Sequence, residues 1–238
     1  MIISAQGIDF KELNRRIRHS VVDIRIDDCY GQRFICSGMG GKNIKINGTP
    51  GNALGAYLNG GMIEVNGNAQ DAVGDTMNDG KIVIHGSAGD ALGYAMRGGS
   101  IFVRDNSGYR TGIHMKEYRE KKPAIIIGGK VGSFLGEYLA GGLIVVLGIG
   151  SKTVPVGNFM GTGMHGGKIF IRTDAELSSL PAQVIAEIAG EGELCEIEPY
   201  ISEFAGYFGK DAKQLMKDRY YVLKPNDKNP YQQLYTEN

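Results

Sequence analysis

The sequence has little of what marks several large protein classes. Its three cysteines, Cys29, Cys36 and Cys195, are few and odd in number, as is typical of a reducing compartment. Its 26 basic and 26 acidic residues balance without a long run of one charge, so we expect no nucleic-acid or membrane partner. No signal peptide, transmembrane run or lipidation motif is visible, and we therefore expect a cytoplasmic protein.

Common catalytic motifs are also missing. There is no Walker A lysine, no G-x-S-x-G elbow and no paired C-x-x-C. Residues 161–166 spell G-x-G-x-x-G, but dinucleotide binding needs a helix after those glycines, and residues 168–172 alternate like a strand. We interpret 161–166 as a turn. We expect Cys29 and Cys36 to be buried structural thiols, and a polar site shared by His114 and His165 is a minor alternative.

Glycine, in contrast, is abundant, and its 37 residues follow a repeat. Short alternating apolar runs recur, most of them 19 residues apart. The first residues of these runs are Ile24, Ile44, Ile63, Ile82, Ile101, Ile125, Ile144 and Ile169. Alternation indicates strands, and so short a period leaves no room for a useful helix. The pattern predicts an all-β solenoid, a parallel β-helix of about seven coils. A left-handed hexapeptide helix would need coils of about 18 residues and a six-residue motif that is absent.

Glycines and apolar residues occupy fixed positions in the repeat. A marker glycine follows the first isoleucine, at Gly55, Gly74, Gly93, Gly112, Gly136 and Gly157, with Ile35 in the first coil. Three positions later lie Leu58, Met77, Met96, Met115, Leu139 and Met160. The repeat glycines that we assign as structural are Gly48, Gly51, Gly55, Gly74, Gly86, Gly89, Gly93, Gly112, Gly129, Gly132, Gly136 and Gly157. Such columns predict side-chain ladders in a shared interior.

Three segments follow from this pattern: a cap over 1–20, the β-helix over 21–173, and a helical extension with a tail over 174–238. In the cap, Asp9 and Glu12 predict a capping box at the start of a helix. In the β-helix, the middle strand residues become an outward apolar stripe, formed by Val83, Phe102, Ile126, Val145 and Phe170. A stripe this long is rarely left exposed, so we expect the extension to cover it.

The extension itself is predicted to be mostly helical. Pro181 starts a helix that runs through Ile188, and residues 193–196 form a loop or strand. A second helix carries Ile201 to Phe208 and stops at Gly209. Asp211 caps a third helix, residues 220–225 are extended, and Asn226 starts the tail.

Two lengthened intervals in the repeat predict loops at the same corner of the solenoid, one at 117–123 and one at 161–165, with a smaller extension at 150–152. Insertions in solenoids commonly emerge on the contact face. The candidate partner contacts are Glu117, Tyr118, Arg119, Lys121 and His165.

The motif G-x-x-G-x-x-x-G, at Gly48-Gly51-Gly55, Gly86-Gly89-Gly93 and Gly129-Gly132-Gly136, resembles the repeat of the GXGXG domain. That domain is the C-terminal right-handed β-helix of the glutamate synthase large subunit, and it recurs in one of the subunits of formylmethanofuran dehydrogenase. The match spans about residues 20–172, although Gln70 replaces one middle glycine.

The resemblance implies a right-handed β-helix and a component of an enzyme rather than a complete enzyme. It implies a non-catalytic structural subunit of a glutamate synthase, which makes glutamate from glutamine and 2-oxoglutarate. Its partners would be a glutamine amidotransferase and an FMN-dependent synthase, with the FMN and the iron–sulfur cluster held by the partner subunits and none in this chain. A homo-oligomer stays open. The alternatives are a scaffold of a formylmethanofuran dehydrogenase complex, or an independent solenoid enzyme or ligand-binding protein.

Overall fold

The computed structural model describes residues 1–226, so the predicted tail lies outside the described residues except for Asn226. Most of this chain is β-solenoid. The elements in chain order are β1 (Ile2–Ser4), α1 (Phe10–His19), β2 (Ile24–Tyr30), β3 (Asn43–Thr49), β4 (Asn59–Asn66), β5 (Asp79–Ile84), β6 (Ser100–Val103), β7 (Ala124–Ile127), β8 (Ala140–Val146), β9 (Gly166–Arg172), β10 (Val184–Ile188), α2 (Glu191–Phe208), α3 (Ala212–Lys217) and β11 (Tyr220–Pro225).

All these strands belong to one sheet. Strands β1 to β9 lie in chain order, and each is parallel to the one before it. Strand β11 then pairs antiparallel with β9, and β10 pairs antiparallel with β11. Successive parallel strands joined by one coil each are the architecture of a β-helix, so the predicted solenoid is confirmed.

The predicted phase of the repeat is also confirmed. Each first isoleucine pairs with the next, from Ile24 with Ile44 through to Ile144 with Ile169. These isoleucines are buried and form one continuous core with the side chains two residues further along each strand. A one-residue slip would turn this whole row outward, so burial holds the register.

The marker glycines face this isoleucine row from the opposite wall. At Gly93 the backbone has φ +67°, and a methyl group there would lie 2.4 Å from Cδ1 of Ile125. The same approach recurs between Gly112 and Ile144, at 2.4 Å. Because both the backbone conformation and the available space exclude a side chain, these positions need glycine.

Three members of the predicted columns, Gly157, Met160 and Ile35, were wrong. The main-chain N–H of Gly161 donates to Leu135, as that of Gly136 donates to Thr111, so Gly161 occupies the last marker position. Gly157 instead donates to Val131 and continues the middle-glycine column. The same comparison of hydrogen bonds places Met164, not Met160, in the second column. It also places Cys36, with φ +63°, at the marker position of the first coil, where Ile35 was predicted.

The error arose because the extra residues lie earlier in the coil than predicted. Between β8 and Gly157 the chain makes a long loop, residues 147–154, and from Gly161 to β9 the spacing is regular again. The loop at 117–123 follows the marker glycine of its own coil. The two insertions therefore do not share a corner, contrary to the prediction, and His165 stands in an ordinary turn.

Helix α1 closes the first coil. Its N-cap is Asp9, which accepts hydrogen bonds from the main chain of Lys11 and Glu12. The predicted capping box is incomplete, because Glu12 pairs with Arg15 and Arg16 instead.

The buried side chain of Asn14 makes the hydrogen bonds that a preceding coil would make to the first coil. Its Oδ1 accepts from the N–H of Cys36, and its Nδ2 donates to the carbonyls of Phe10 and Phe34. In later coils the equivalent main-chain groups pair with a neighbouring coil. In the first coil they pair with Asn14 of the cap instead.

The C-terminal extension covers the apolar stripe, as predicted. All five stripe residues are fully buried, in a second core with Ile197, Ile201 and Phe204 of α2 and with α3 and β11. Gly209 ends α2 in the left-handed conformation and Asp211 caps α3, both as predicted.

Two parts of the extension differ from the prediction. The helix proposed from Pro181 to Ile188 is instead β10, because β11 offers a sheet edge that residues 184–188 pair with throughout. Residues 193–196 belong to α2 rather than to a loop or strand.

Candidate partner-binding surface

The turn around each marker glycine has a backbone that presents side chains outward. Three alternate residues have positive φ, as at Phe134 (63°), Gly136 (63°) and Tyr138 (52°). The N–H groups of Phe134 and Tyr138 donate to the following coil, whereas that of Gly136 donates to the preceding one. Side chains on either side of the marker glycine therefore stack in two rows along the solenoid axis.

In the later coils both rows are aromatic. In one row the rings of His114 and Tyr138 stack with centroids 5.1 Å apart and planes 6° apart, and Tyr94 meets His114 edge-on at 5.9 Å. Tyr138 lies over Gly163, where a methyl group would be 2.4 Å from its ring. Gly163 therefore leaves space for the Tyr138 ring.

In the other row Phe134 stacks on Phe159, with centroids 5.0 Å apart, and the guanidinium of Arg110 lies 5.0 Å from the Phe134 centroid. Arg110 Nε also donates to Oε2 of Glu137 at 2.9 Å, so its charge is paired. Phe159 nevertheless stays 57% exposed. We call this surface the aromatic face; its residues are Tyr94, Arg110, His114, Phe134, Tyr138 and Phe159.

The stacked rings of the aromatic face lie in the later coils. In the row of Arg110, Phe134 and Phe159, the first coil carries Phe34 and the next three carry Ala53, Ala72 and Ala91; in the other row an early coil carries Tyr57. Aromatic and arginine side chains with few unpaired charges are the composition that protein–protein interfaces favour. The aromatic row is visible in the sequence, because Phe134 and Phe159 lie one coil apart.

The predicted contacts divide into two groups. Lys121 Nζ pairs with Asp79 Oδ2 at 2.8 Å, and Glu117 Oε1 accepts from the N–H of Gly142 at 3.1 Å. Both side chains hold the 117–123 loop to the solenoid. Tyr118 and Arg119 form the exposed tip of the loop, with the guanidinium 5.3 Å from the ring centroid.

The two histidines proposed as an alternative site have separate roles. His114 belongs to the aromatic stack, whereas His165 is half-buried with Nδ1 3.0 Å from the carbonyl oxygen of Gly163. Residues 161–163 form a turn and Gly166 is already the first residue of β9, not of a helix, so the interpretation of this segment as a turn is confirmed.

The cysteines of the first coil are buried, as predicted. Burial raises the pKa of the Cys29 thiol to about 11 and raises the pKa of Cys36 still further above its usual range. Both thiols therefore stay protonated near neutral pH, which disfavours nucleophilic or metal-binding roles. Cys195 on α2 is exposed.

A polar cleft of about 330 Å³ lies between the 147–154 loop and the start of β11. Its arginines are already engaged. Arg172 donates to Asp218 and to the carbonyl of Leu147, and Arg219 donates to the carbonyls of Thr173 and Asp174. These bonds attach the extension to the last coil.

Within residues 1–226 there is no cluster of three or more His, Cys, Asp or Glu side chains that could hold a metal ion. Over the same residues, no helix combines the length and apolar character needed to cross a membrane.

Comparison with known proteins agrees with the fold. A family model described as the GXGXG motif matches residues 8–226. An uncharacterized protein of Methanocaldococcus jannaschii is 41% identical over 251 aligned positions, which cover 99% of this chain and 96% of that protein. The resemblance drawn from the repeated glycines is confirmed, and the chain belongs to the GXGXG motif family.

Proposed function

We propose that this chain is a non-catalytic structural subunit of a multi-subunit glutamate synthase. In this proposal it holds a glutamine amidotransferase and an FMN-dependent synthase in fixed relation, while those partners carry the FMN and the iron–sulfur cluster. The observation that carries the proposal is the family match over residues 8–226, which leaves little of the described chain for a separate catalytic unit.

Two further observations support it. The M. jannaschii relative is aligned over 96% of its length, so this architecture occurs there as nearly a whole protein rather than as the end of a large subunit. In the present chain the aromatic face is a partly exposed surface whose arginine is paired with Glu137, which suits a partner protein better than a small substrate.

The proposal is tested by isolating the tagged chain from its native cells and identifying what accompanies it by mass spectrometry. We expect an amidotransferase and a flavin-containing synthase, with flavin absorbance in the eluate. Recovery of molybdenum or tungsten subunits would favour the formylmethanofuran dehydrogenase alternative. Turnover or tight ligand binding by the purified chain alone would favour an independent enzyme or binding protein.

A matched pair of variants tests the aromatic face as the contact. Phe159→Ala removes a 57% exposed ring from it, whereas Tyr57→Ala removes a 55% exposed ring from an early coil. If Phe159 is an interface anchor, its loss weakens partner binding by about thirtyfold, equivalent to ~2 kcal/mol. The Tyr57 variant should bind normally; equal binding by both variants would remove the aromatic face from the proposal.

A further inference from the structure

Within residues 1–226, the strands at both ends of the sheet have one neighbour each. In this part of the chain β1 pairs with β2 alone, and β10 pairs with β11 alone. The N–H of Ala5 donates to the carbonyl of Asp27, and the carbonyl of Met1 accepts from the N–H of Arg25. Because alternate residues of a strand turn their N–H and C=O groups to opposite sides, those of Ile2 and Ser4 in β1 face the free edge. Just after β10, the N–H of Ala189 donates to the carbonyl of Tyr220. By the same alternation, the N–H and C=O groups of Ala186 and Ile188 face away from β11.

Among the described residues, large aliphatic side chains are exposed at these two ends, and the large hydrophobic side chains that are exposed elsewhere are all aromatic. The exposed aliphatic ones are Met1, Ile2, Val21 and Val22 at the first end, and Ile185 and Ile188 at the second. Ile2 is 62% and Ile188 63% exposed. Neither edge strand carries the lysine or proline that commonly protects a free edge.

The two ends also differ in charge. Residues 1–22 contain four Lys and Arg against two Asp and Glu, whereas residues 173–209 contain eight Asp and Glu and no Lys or Arg. Glu193, Glu196 and Glu203 take lysine partners from neighbouring elements, and Glu187 on β10 lies at the longer distance of 3.6 Å from Lys224. The free edge of β10 itself is therefore apolar at Ile185 and Ile188, with the acidic Glu187 between them.

At the first end a cleft of about 590 Å³ runs between the free edge of β1 and α1. Ile2, Ile3 and Ile8 give it apolar walls, and Arg15, Arg16 and His19 line the side formed by α1. An apolar cleft with basic side chains complements an apolar strand with acidic neighbours.

We propose that these ends are complementary docking surfaces for a second copy of this chain, with β10 of one copy added to the free edge of β1 of the next. Strand β10 runs in the direction of β9, because β11 is antiparallel to both. Placed beside β1, it extends the sheet as another parallel strand. The inference stands on the two ends alone and does not require the proposed function.

The two docking surfaces are different patches, so the contact is head to tail and does not close by a two-fold axis. Assembly therefore continues past the dimer. Light scattering on the purified full chain should show a mass that rises with concentration beyond twice the monomer mass of 25.7 kDa and falls when salt is added.

Two single variants and their mixture make the test specific. Ile188→Lys blocks the β10 edge and Ile2→Lys blocks the β1 edge; because both side chains are exposed, circular dichroism should show unchanged folding. Each variant alone should be a monomer, yet an equimolar mixture should form a one-to-one dimer through the two intact ends. Tyr57→Lys, a change at a similarly exposed site between the ends, should assemble like the parent chain.

Several outcomes would overturn the proposal. These are a parent chain that is monomeric at all concentrations, a parent that stops at a dimer, or a dimer that survives both lysine variants. A chain ending at Asn226 should assemble like the full chain. Assembly that appears only after this truncation would make residues 227–238 the occupant of an edge.

Discussion

Replacing the marker glycine Gly93 by alanine should destabilise the solenoid strongly. The left-handed backbone at φ +67° costs an L-residue roughly 1–2 kcal/mol. The new methyl group would lie 2.4 Å from Cδ1 of Ile125, and overpacking of this kind costs roughly 1–3 kcal/mol. The free energy of unfolding, measured by urea denaturation with far-UV circular dichroism, should therefore fall by about 2–5 kcal/mol.

The two contributions can be separated by a double-mutant cycle. Ile125→Val removes Cδ1 and alone costs about 0.5–1.5 kcal/mol. Combined with Gly93→Ala it relieves the clash, so the two changes together should cost at least ~1 kcal/mol less than their sum.

The control is Gly192→Ala in α2, where a methyl group meets nothing within 4 Å and φ is not positive. This change should stabilise the chain by about 0.5–1 kcal/mol, because alanine is the better helix former. Gly93→Ala at parent stability, or strictly additive effects of Gly93→Ala and Ile125→Val, would refute the packing account of the marker column.

Three other predictions follow from the cap, the covered stripe and the cysteines. Asn14→Ala leaves the N–H of Cys36 buried without its acceptor and should lower the free energy of unfolding by about 1–3 kcal/mol, measured in urea; an unchanged midpoint would contradict the role of the cap. Phe204→Ala should cost about 3–5 kcal/mol and increase binding of a hydrophobic dye, since it opens the covered stripe; parent-like dye binding would count against that cover. A thiol reagent near neutral pH should label Cys195 quickly and label Cys29 and Cys36 only after denaturation; rapid labelling of all three in the native state would disprove their burial.

The core of the fold could be predicted because its physical constraint repeats. After the first coil, which has Cys36, each coil has an inward isoleucine and a glycine opposite it, so the same residues recur at the coil spacing and reveal the register. The outward stripe was predictable for a similar reason, since Phe102 and Phe170 stand where early strands carry Lys45 and Glu64.

The failures lie where the constraint is not repeated. Gly157 and Gly161 both fit a glycine column, and only the hydrogen-bond ladder decides between them. The segment 184–188 became a strand because β11, which comes later in the chain, supplies its partner. The role of Asn14 was not predicted, because a single side chain that pairs with the first coil does not recur along the sequence.

The contact role predicted for the 117–123 loop and for His165 stays a prediction. The 117–123 loop was expected as a contact because it interrupts the period, yet Glu117 and Lys121 serve the loop itself. The aromatic face was not predicted, because Phe134 and Phe159 lie in turns, where the glycines dominate the repeat. The outward turn positions, compared at the coil spacing, would have revealed both rings.

The proposed role, in which this chain holds catalytic partners together and does not itself react, is tested most directly by a reconstituted assay. Glutamate formation from glutamine and 2-oxoglutarate is measured with purified amidotransferase and FMN synthase components, with and without this chain. The account predicts that omitting the chain abolishes most glutamine-dependent synthesis, while glutaminase activity and ammonia-dependent synthesis persist in the separate components. Undiminished glutamine-dependent synthesis in its absence would contradict the account.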